Sequence, residues 1–242
     1  FSYARPDRKQ CVRFARELHL PYPLAVLLRQ RGVQDSRQAD GYLNPRLTDL
    51  PSPFLMKDMD RAAELVTQAL QEDWPLYIHG DYDVDGITGS ALLARFFRKL
   101  GRDTVCYQPD RLTEGYGLQA GFIKKHAPAE GRTALLITVD CGISDLEEVQ
   151  LAKELGFKVI VTDHHLPGEI LPPADALLNP HRTDCSFPHP ELAGVGVAFY
   201  LAYGIRKSLV EQGKLDKGKS PNLKQLLDMV ALGTVADVMP LT

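Results

Sequence analysis

The chain has 242 residues, 44% of them hydrophobic, and sets 28 Lys and Arg against 31 Asp and Glu for a formal net charge of −3. It reads as globular, with enough apolar sequence for one large core or two modest ones, and its total charge neither announces nor excludes a polyanionic partner. No apolar stretch nears the roughly 20 residues of a membrane span, and the N-terminus Phe-Ser-Tyr-Ala-Arg has no signal-peptide core, so a cytoplasmic protein without membrane association is expected.

Apolar residues recur at helical spacing over 8–18 and 23–31, and Asp35 is placed to cap a third helix ending near Leu43. Residues 44–53 contain three prolines and read as a connection, followed by an amphipathic helix over 58–71. A helical leader is therefore expected over 1–55 and a main domain over 56–242. From residue 75 short apolar runs alternate with helical ones: strand 75–79, helix 87–100, strand 103–108, helix 117–126, strand 133–139, helix 145–155, strand 157–162. A short fifth strand is expected at 176–178, then a Pro- and His-rich loop over 179–192 and helices near 195–212 and 222–232. Repeated βαβ units with strands apolar on both faces, such as Leu135-Leu136-Ile137-Thr138-Val139, predict an α/β fold: a Rossmann-like, five-stranded parallel sheet flanked by helices.

Ligands of such sheets bind outside the carboxyl ends of the strands, and there the acidic and imidazole residues gather. Strand 75–79 is followed by His79-Gly80-Asp81-Tyr82-Asp83-Val84-Asp85-Gly86, strand 133–139 by Asp140-Cys141-Gly142, and strand 157–162 by Asp163-His164-His165. Asp237 adds a carboxylate in the apolar run Leu232 to Val238, where an unpaired one would be costly. Singly, each has a plain explanation as an Asp-rich turn, a helix cap or a surface histidine. Jointly they predict a metal centre, because ionised aspartates this close need a cation to offset their repulsion. Mixed carboxylate and imidazole donors suit Mn²⁺, Mg²⁺ or Zn²⁺. Two ions are expected, since about six donors stand ready, and such a pair serves in-line displacement at phosphorus. Cys11, Cys106, Cys141 and Cys185 form no C-x-x-C pair and read as reduced thiols; the cluster is taken to lack a cysteine, which argues against structural zinc. No G-x-x-x-x-G-K-[ST] or G-x-G-x-x-G follows any strand, which weighs against a nucleotide-binding α/β domain.

Asp163-His164-His165 resembles the signature of the DHH phosphoesterases, and His79 to Gly86 resembles their first motif. Further stretches extend the likeness over nearly the whole chain: Pro109-Asp110-Arg111 with Glu114-Gly115-Tyr116-Gly117, Val139-Asp140-Cys141-Gly142-Ile143, Asn179-Pro180-His181, Ala193-Gly194-Val195-Gly196-Val197-Ala198 and Leu232 to Asp237. They are most similar to the branch of that superfamily that digests single-stranded DNA. The resemblance implies a Mn²⁺- or Mg²⁺-dependent exonuclease hydrolysing phosphodiesters 5′ to 3′ in DNA repair and recombination, with a helicase and a single-strand-binding protein as further partners. It implies one ion on Asp85, Asp140, His164 and Asp237 and a second on His79, Asp83 and Asp140. In that transfer Asp81 is a neighbouring catalytic carboxylate and His165 faces the phosphate.

Arg111, His181, Arg182 and the amides of Gly194 and Gly196 are candidates for substrate phosphate, although surface arginines and close helix packing explain them as well. Tyr82 and Tyr116 offer stacking surfaces for bases. Other readings are a DHH phosphoesterase for oligonucleotides, cyclic dinucleotides or pyrophosphate, and a non-catalytic replication scaffold, whose mark would be lost ligands. The chain begins without Met and ends after a motif-like run, as a fragment would. It is expected to fold and bind metal but to grip DNA poorly.

Overall fold

The computed structural model describes residues 6–241. Residues up to Leu50 form one compact unit and Pro51–Pro240 a second. The first holds three helices, α1 (Arg8–Glu17), α2 (Tyr22–Gln30) and α3 (Ser36–Leu43). Asp7 accepts a hydrogen bond from the Lys9 amide at the head of α1, and Asp35 accepts one from the Gln38 amide at the head of α3, each satisfying an amide that the helix leaves unpaired. Phe14, Ala25, Leu28, Val33 and Ala39 make this unit's small core.

The second unit begins five residues before the expected boundary, and Pro53, ahead of that boundary, is buried in it. Its elements are α4 (Met59–Gln71), β1 (Leu76–Gly80), α5 (Val84–Lys99), β2 (Val105–Tyr107), α6 (Ala120–Lys125), β3 (Ala134–Val139), α7 (Leu146–Glu154), β4 (Phe157–Thr162), β5 (Ala176–Leu178), α8 (Gly194–Glu211) and α9 (Leu227–Ala236). All five strands pair in parallel, in the order β2-β1-β3-β4-β5. Every residue of β3 is buried, as suits a central strand covered by helices on both faces. Among the described residues no helix is long and apolar enough to cross a membrane.

Of the departures from the expected element bounds, three bear on function. Helix α5 starts at Val84 rather than 87, because Asp83 caps it through the Gly86 amide at 3.0 Å; Asp85 therefore sits in the first helical turn. Helix α6 is only six residues long. The chain ahead of it is held as a loop by positive φ at Gly115 and Gly117 and by the Leu118 amide, which donates to Asp145. Helix α9 runs past 232 to Ala236. Its Gly233 lies against α5 so closely that a Cβ would stand 2.5 Å from Thr88 Oγ1 and 2.9 Å from Asp85 Oδ1, which carries Asp237 to the end of a helix packed on the aspartate motif.

Candidate metal centre

Strand register brings the acidic residues together. Gly80 pairs with Val139, Val139 with Thr162 and Thr162 with Leu178, so the next residues, Asp81, Asp140, Asp163 and Asn179, emerge from four neighbouring strands at one edge. The order reverses between β1 and β3, the switch point at which open parallel sheets leave a crevice for ligand. Asp140 adopts a left-handed backbone, φ 61°, at that point. Such strain costs on the order of 1 kcal/mol or more and is tolerated where the surroundings enforce it.

His164 Nε2 stands 3.1 Å from Asp140 Oδ1, 3.7 Å from Asp85 Oδ2 and 3.6 Å from Asp237 Oδ2. Three overlapping donor groups, each with atoms within 4.8 Å of one another, result: Asp85, His164 and Asp237; Asp81, Asp83 and Asp140; and Asp140, His164 and His165. Asp81 Oδ1, Asp140 Oδ1, His164 Nε2 and Asp237 Oδ2 are buried and lack a hydrogen-bond partner among the described residues. Buried polar atoms are almost always satisfied. Four that converge without partners fit a divalent cation, and the oxygen-rich donor set suits Mn²⁺ or Mg²⁺.

The electrostatics point the same way. Burial, reinforced by the charges of Asp85, Asp83 and Asp163, pushes Asp140 up to about 10. Burial also raises Asp81, and it raises Asp85 although the Val195 and Gly194 amides oppose it. Without a cation the cluster therefore holds protons that it would surrender to one.

Asp163, given no role in the sequence reading beyond its place in the signature, is the anchor beneath the two histidines. Fully buried, it accepts from the amides of Ile143, His164 and His165 and from His165 Nδ1 at 2.7 Å. Burial alone would raise its pKa, but the His165 hydrogen bond and charge hold it below the ordinary range. An ionised carboxylate only accepts, so Nδ1 carries the proton and Nε2 of His165 is left free. The hydrogen bond to Asp163 in turn raises His165. A carboxylate directly after the apolar, β-branched run Val159-Ile160-Val161 was the signal available for this residue. Tyr116, expected as a stacking surface, instead places its hydroxyl 3.3 Å from the Asp140 carbonyl and from His165 Nδ1.

Several expected roles do not match the geometry. His79 lies outside all three donor groups: fully buried, it accepts the Gln119 amide at Nε2, sits among Tyr107 and Phe122, and is pushed down to about 4 by burial. Asp81 takes the place expected of it. The Gly194 amide donates to Asp85 Oδ2 at 2.6 Å and the Gly196 amide to the Ala193 carbonyl at 2.9 Å, so neither is open to phosphate. Gly194 is instead a close-approach position, where a Cβ would stand 2.6 Å from that of Asp140. Arg182 is spent on Asp58 and Asp184. His181 is half-buried and joins no donor group, its amide donating to Asn179. Arg111 is exposed and lies 5.4 Å above the Tyr82 ring, which it covers. As expected, none of the donor groups among the described residues includes a cysteine: Cys141 Sγ lies 3.9 Å from His79 Nδ1, outside them, and burial raises that thiol well above its usual value and keeps it protonated. Leu232, Val235 and Val238 around Asp237 are exposed rather than buried.

A parallel α/β sheet with carboxylates and imidazoles gathered at its switch point defines a metal-binding α/β protein. The description "DHH family, N-terminal domain" matches residues 75–234, and the chain belongs to that family. Among curated proteins it is 44% identical over 230 residues to the single-stranded-DNA-specific exonuclease RecJ of Salmonella typhimurium, covering 92% of this chain and 39% of that protein. It is 38% identical over 237 residues to RecJ of Bacillus subtilis, covering 98% and 28%. The chain thus spans well under half the length of these relatives. Among solved structures it resembles RecJ of Thermus thermophilus in complex with Mn²⁺, at 31% identity and a TM-score of 0.74 over 98% of this chain and 32% of that one. It also resembles exonuclease RecJ bound to manganese, at 37% and 0.66 over 76% and 44%.

Proposed function

We propose that this chain is the catalytic part of a divalent-metal phosphodiesterase that removes nucleotides from the end of single-stranded DNA. The observation that carries the reading is the convergence of four unpartnered buried polar atoms, from Asp81, Asp140, His164 and Asp237, on the switch-point edge of the sheet. Asp85, His164, Asp237 and Asp140 would hold one ion; Asp81, Asp83 and Asp140 would hold the second, with Asp140 common to both. Bound there, such ions supply positive charge to the phosphate oxygens and lower the pKa of a water to the neutral range.

The chain's own side chains do the rest. Asp163 fixes the ring of His165 through Nδ1 and favours its charged form, whose Nε2–H would donate to the phosphate and steady the charge that grows as the leaving oxygen departs. Asp85, held by two amides of α8, ties the position of that helix to the site. Arg111, exposed beside the aspartate motif, is placed to meet a substrate phosphate. The named relatives are single-stranded-DNA-specific exonucleases, and this supports single-stranded DNA as substrate with Mn²⁺ or Mg²⁺ as cofactor. A role in repair and recombination in the cytoplasm follows, where the four unpaired thiols stay reduced. A helicase and a single-strand-binding protein would supply and present the strand.

Hydrolysis of 5′-labelled single-stranded DNA in Mn²⁺ tests this, run with the chain, its Asp140→Ala variant and a chelated sample. Cleavage by the chain alone is expected. Equal cleavage by Asp140→Ala, or by the chelated sample, would overturn the reading.

A further inference from the structure

Charge is unevenly divided along the sequence. Of 28 Lys and Arg, nine fall in residues 1–50 against five of the 31 Asp and Glu, leaving 19 against 26 for the rest. The first unit is basic and the unit that carries the metal centre is acidic. Within the first, the cations concentrate on α1. That helix turns Cys11 and Phe14 into its core and leaves Arg8, Lys9, Arg13 and Arg16 exposed. Lys9, Arg13 and Arg16 follow one another at spacings of four and three, and Arg8 lies eight residues, about 12 Å, before Arg16 on the exposed side of the helix.

Only Arg13 has a carboxylate partner, Glu17, and its side chain is still 81% exposed; Arg8, Lys9 and Arg16 form no ion pair among the described residues. Beside them runs a groove of about 360 Å³, lined by Arg8, Val12, Ala15, Arg16, Leu20 and Tyr22. Two unneutralised guanidinium groups thus flank an apolar floor ending in a tyrosine that is 43% exposed. Cations beside an apolar, aromatic floor suit a flexible polyanion with flat bases, which pays phosphates to the arginines and a base face to the ring.

We propose that this flank of α1 binds single-stranded DNA, with Arg8 and Arg16 on the phosphates and Tyr22 against a base. The proposal rests on the substrate proposed above but not on the metal centre. It makes the first unit a second, sequence-independent hold on the strand.

Binding of a fluorescent oligothymidylate to the full chain in chelator, followed by anisotropy across a salt series, reads this contact without hydrolysis. Losing two phosphate contacts in Arg8→Gln/Arg16→Gln is expected to flatten the slope of log K against log salt by about 1.4 and to weaken binding roughly tenfold at low salt. Arg8→Lys/Arg16→Lys, which keeps both charges, is expected to retain most of the slope. An unchanged slope in the glutamine variant with its melting temperature intact would overturn the proposal. So would binding to anionic phosphatidylserine vesicles with none to the oligonucleotide. Failure here leaves hydrolysis at the metal centre standing, because that is read separately in Mn²⁺ with Asp140→Ala.

Discussion

Arg182 and Asp140 are both ionisable side chains enclosed in the α/β unit, and their surroundings are built in opposite ways. Arg182 sends Nη1 to Asp58 at 2.6 Å and to the Leu177 carbonyl at 2.7 Å, while Nε and Nη2 hold both oxygens of Asp184. Every nitrogen has its acceptor. Asp140 is more enclosed still, yet its Oδ1 lacks a hydrogen-bond partner among the described residues and its neighbours are mostly carboxylates. Nature, charge and burial alone do not separate a structural ion pair from a working site. Satisfaction does: the cluster around Arg182 is closed on itself, and the one around Asp140 is complete only with something added.

The contrast is broken most forcefully at Arg182. Arg182→Ala strands the half-buried Asp58 and is expected to cost about 3 kcal/mol in urea unfolding, while the folded fraction still binds Mn²⁺. Loss of metal binding with stability unchanged would reverse the roles assigned to the two clusters. Next comes Gly233→Ala, whose added methyl meets Thr88 and Asp85 and pushes α9 outward. A cost of about 1–3 kcal/mol is expected, with weaker Mn²⁺ affinity because Asp237 moves with the helix.

A pH series sharpens the same comparison. Asp140, Asp85 and Asp81 have folded-state pKa values raised above those of the unfolded chain. Between the ordinary carboxylate range and about 10, the folded form therefore binds more protons than the unfolded one, and stability falls as pH rises. The chelated chain is expected to melt lower at pH 8 than at pH 5, Mn²⁺ to restore it at pH 8, and Asp140→Asn to flatten the dependence. A melting temperature that climbs with pH in chelator would contradict the electrostatics of the site. The smallest effect is expected at Tyr116→Phe, which removes one hydroxyl from Asp140 and His165 and costs about 1 kcal/mol.

The sheet and its edge were legible in the sequence because period and composition change sharply where strands give way to helices. The runs ending at His79, Val139 and Thr162 placed Asp81, Asp140 and Asp163 at strand ends, and the parallel pairing brings them side by side. What remained hidden depends on side-chain partners and close approach, which leave no periodic trace. Helix α5 begins early because an aspartate caps it, Gly233 matters through what its missing Cβ avoids, and the Gly194 amide is spent on Asp85. Arg182 looked available because its acceptor Asp58 is 124 residues distant in sequence. His79 looked like a ligand by type and place, yet its ring faces Gln119 and the aromatic cluster.

Calorimetric titration of the chain with Mn²⁺ tests the central claim most directly. Two ions per chain are expected, with Asp237→Asn losing one and keeping the other, and Asp140→Asn weakening both because its carboxylate is shared. No heat of binding from the folded chain, or an Asp140→Asn variant that takes up two ions with unchanged affinity, would contradict the metal centre described.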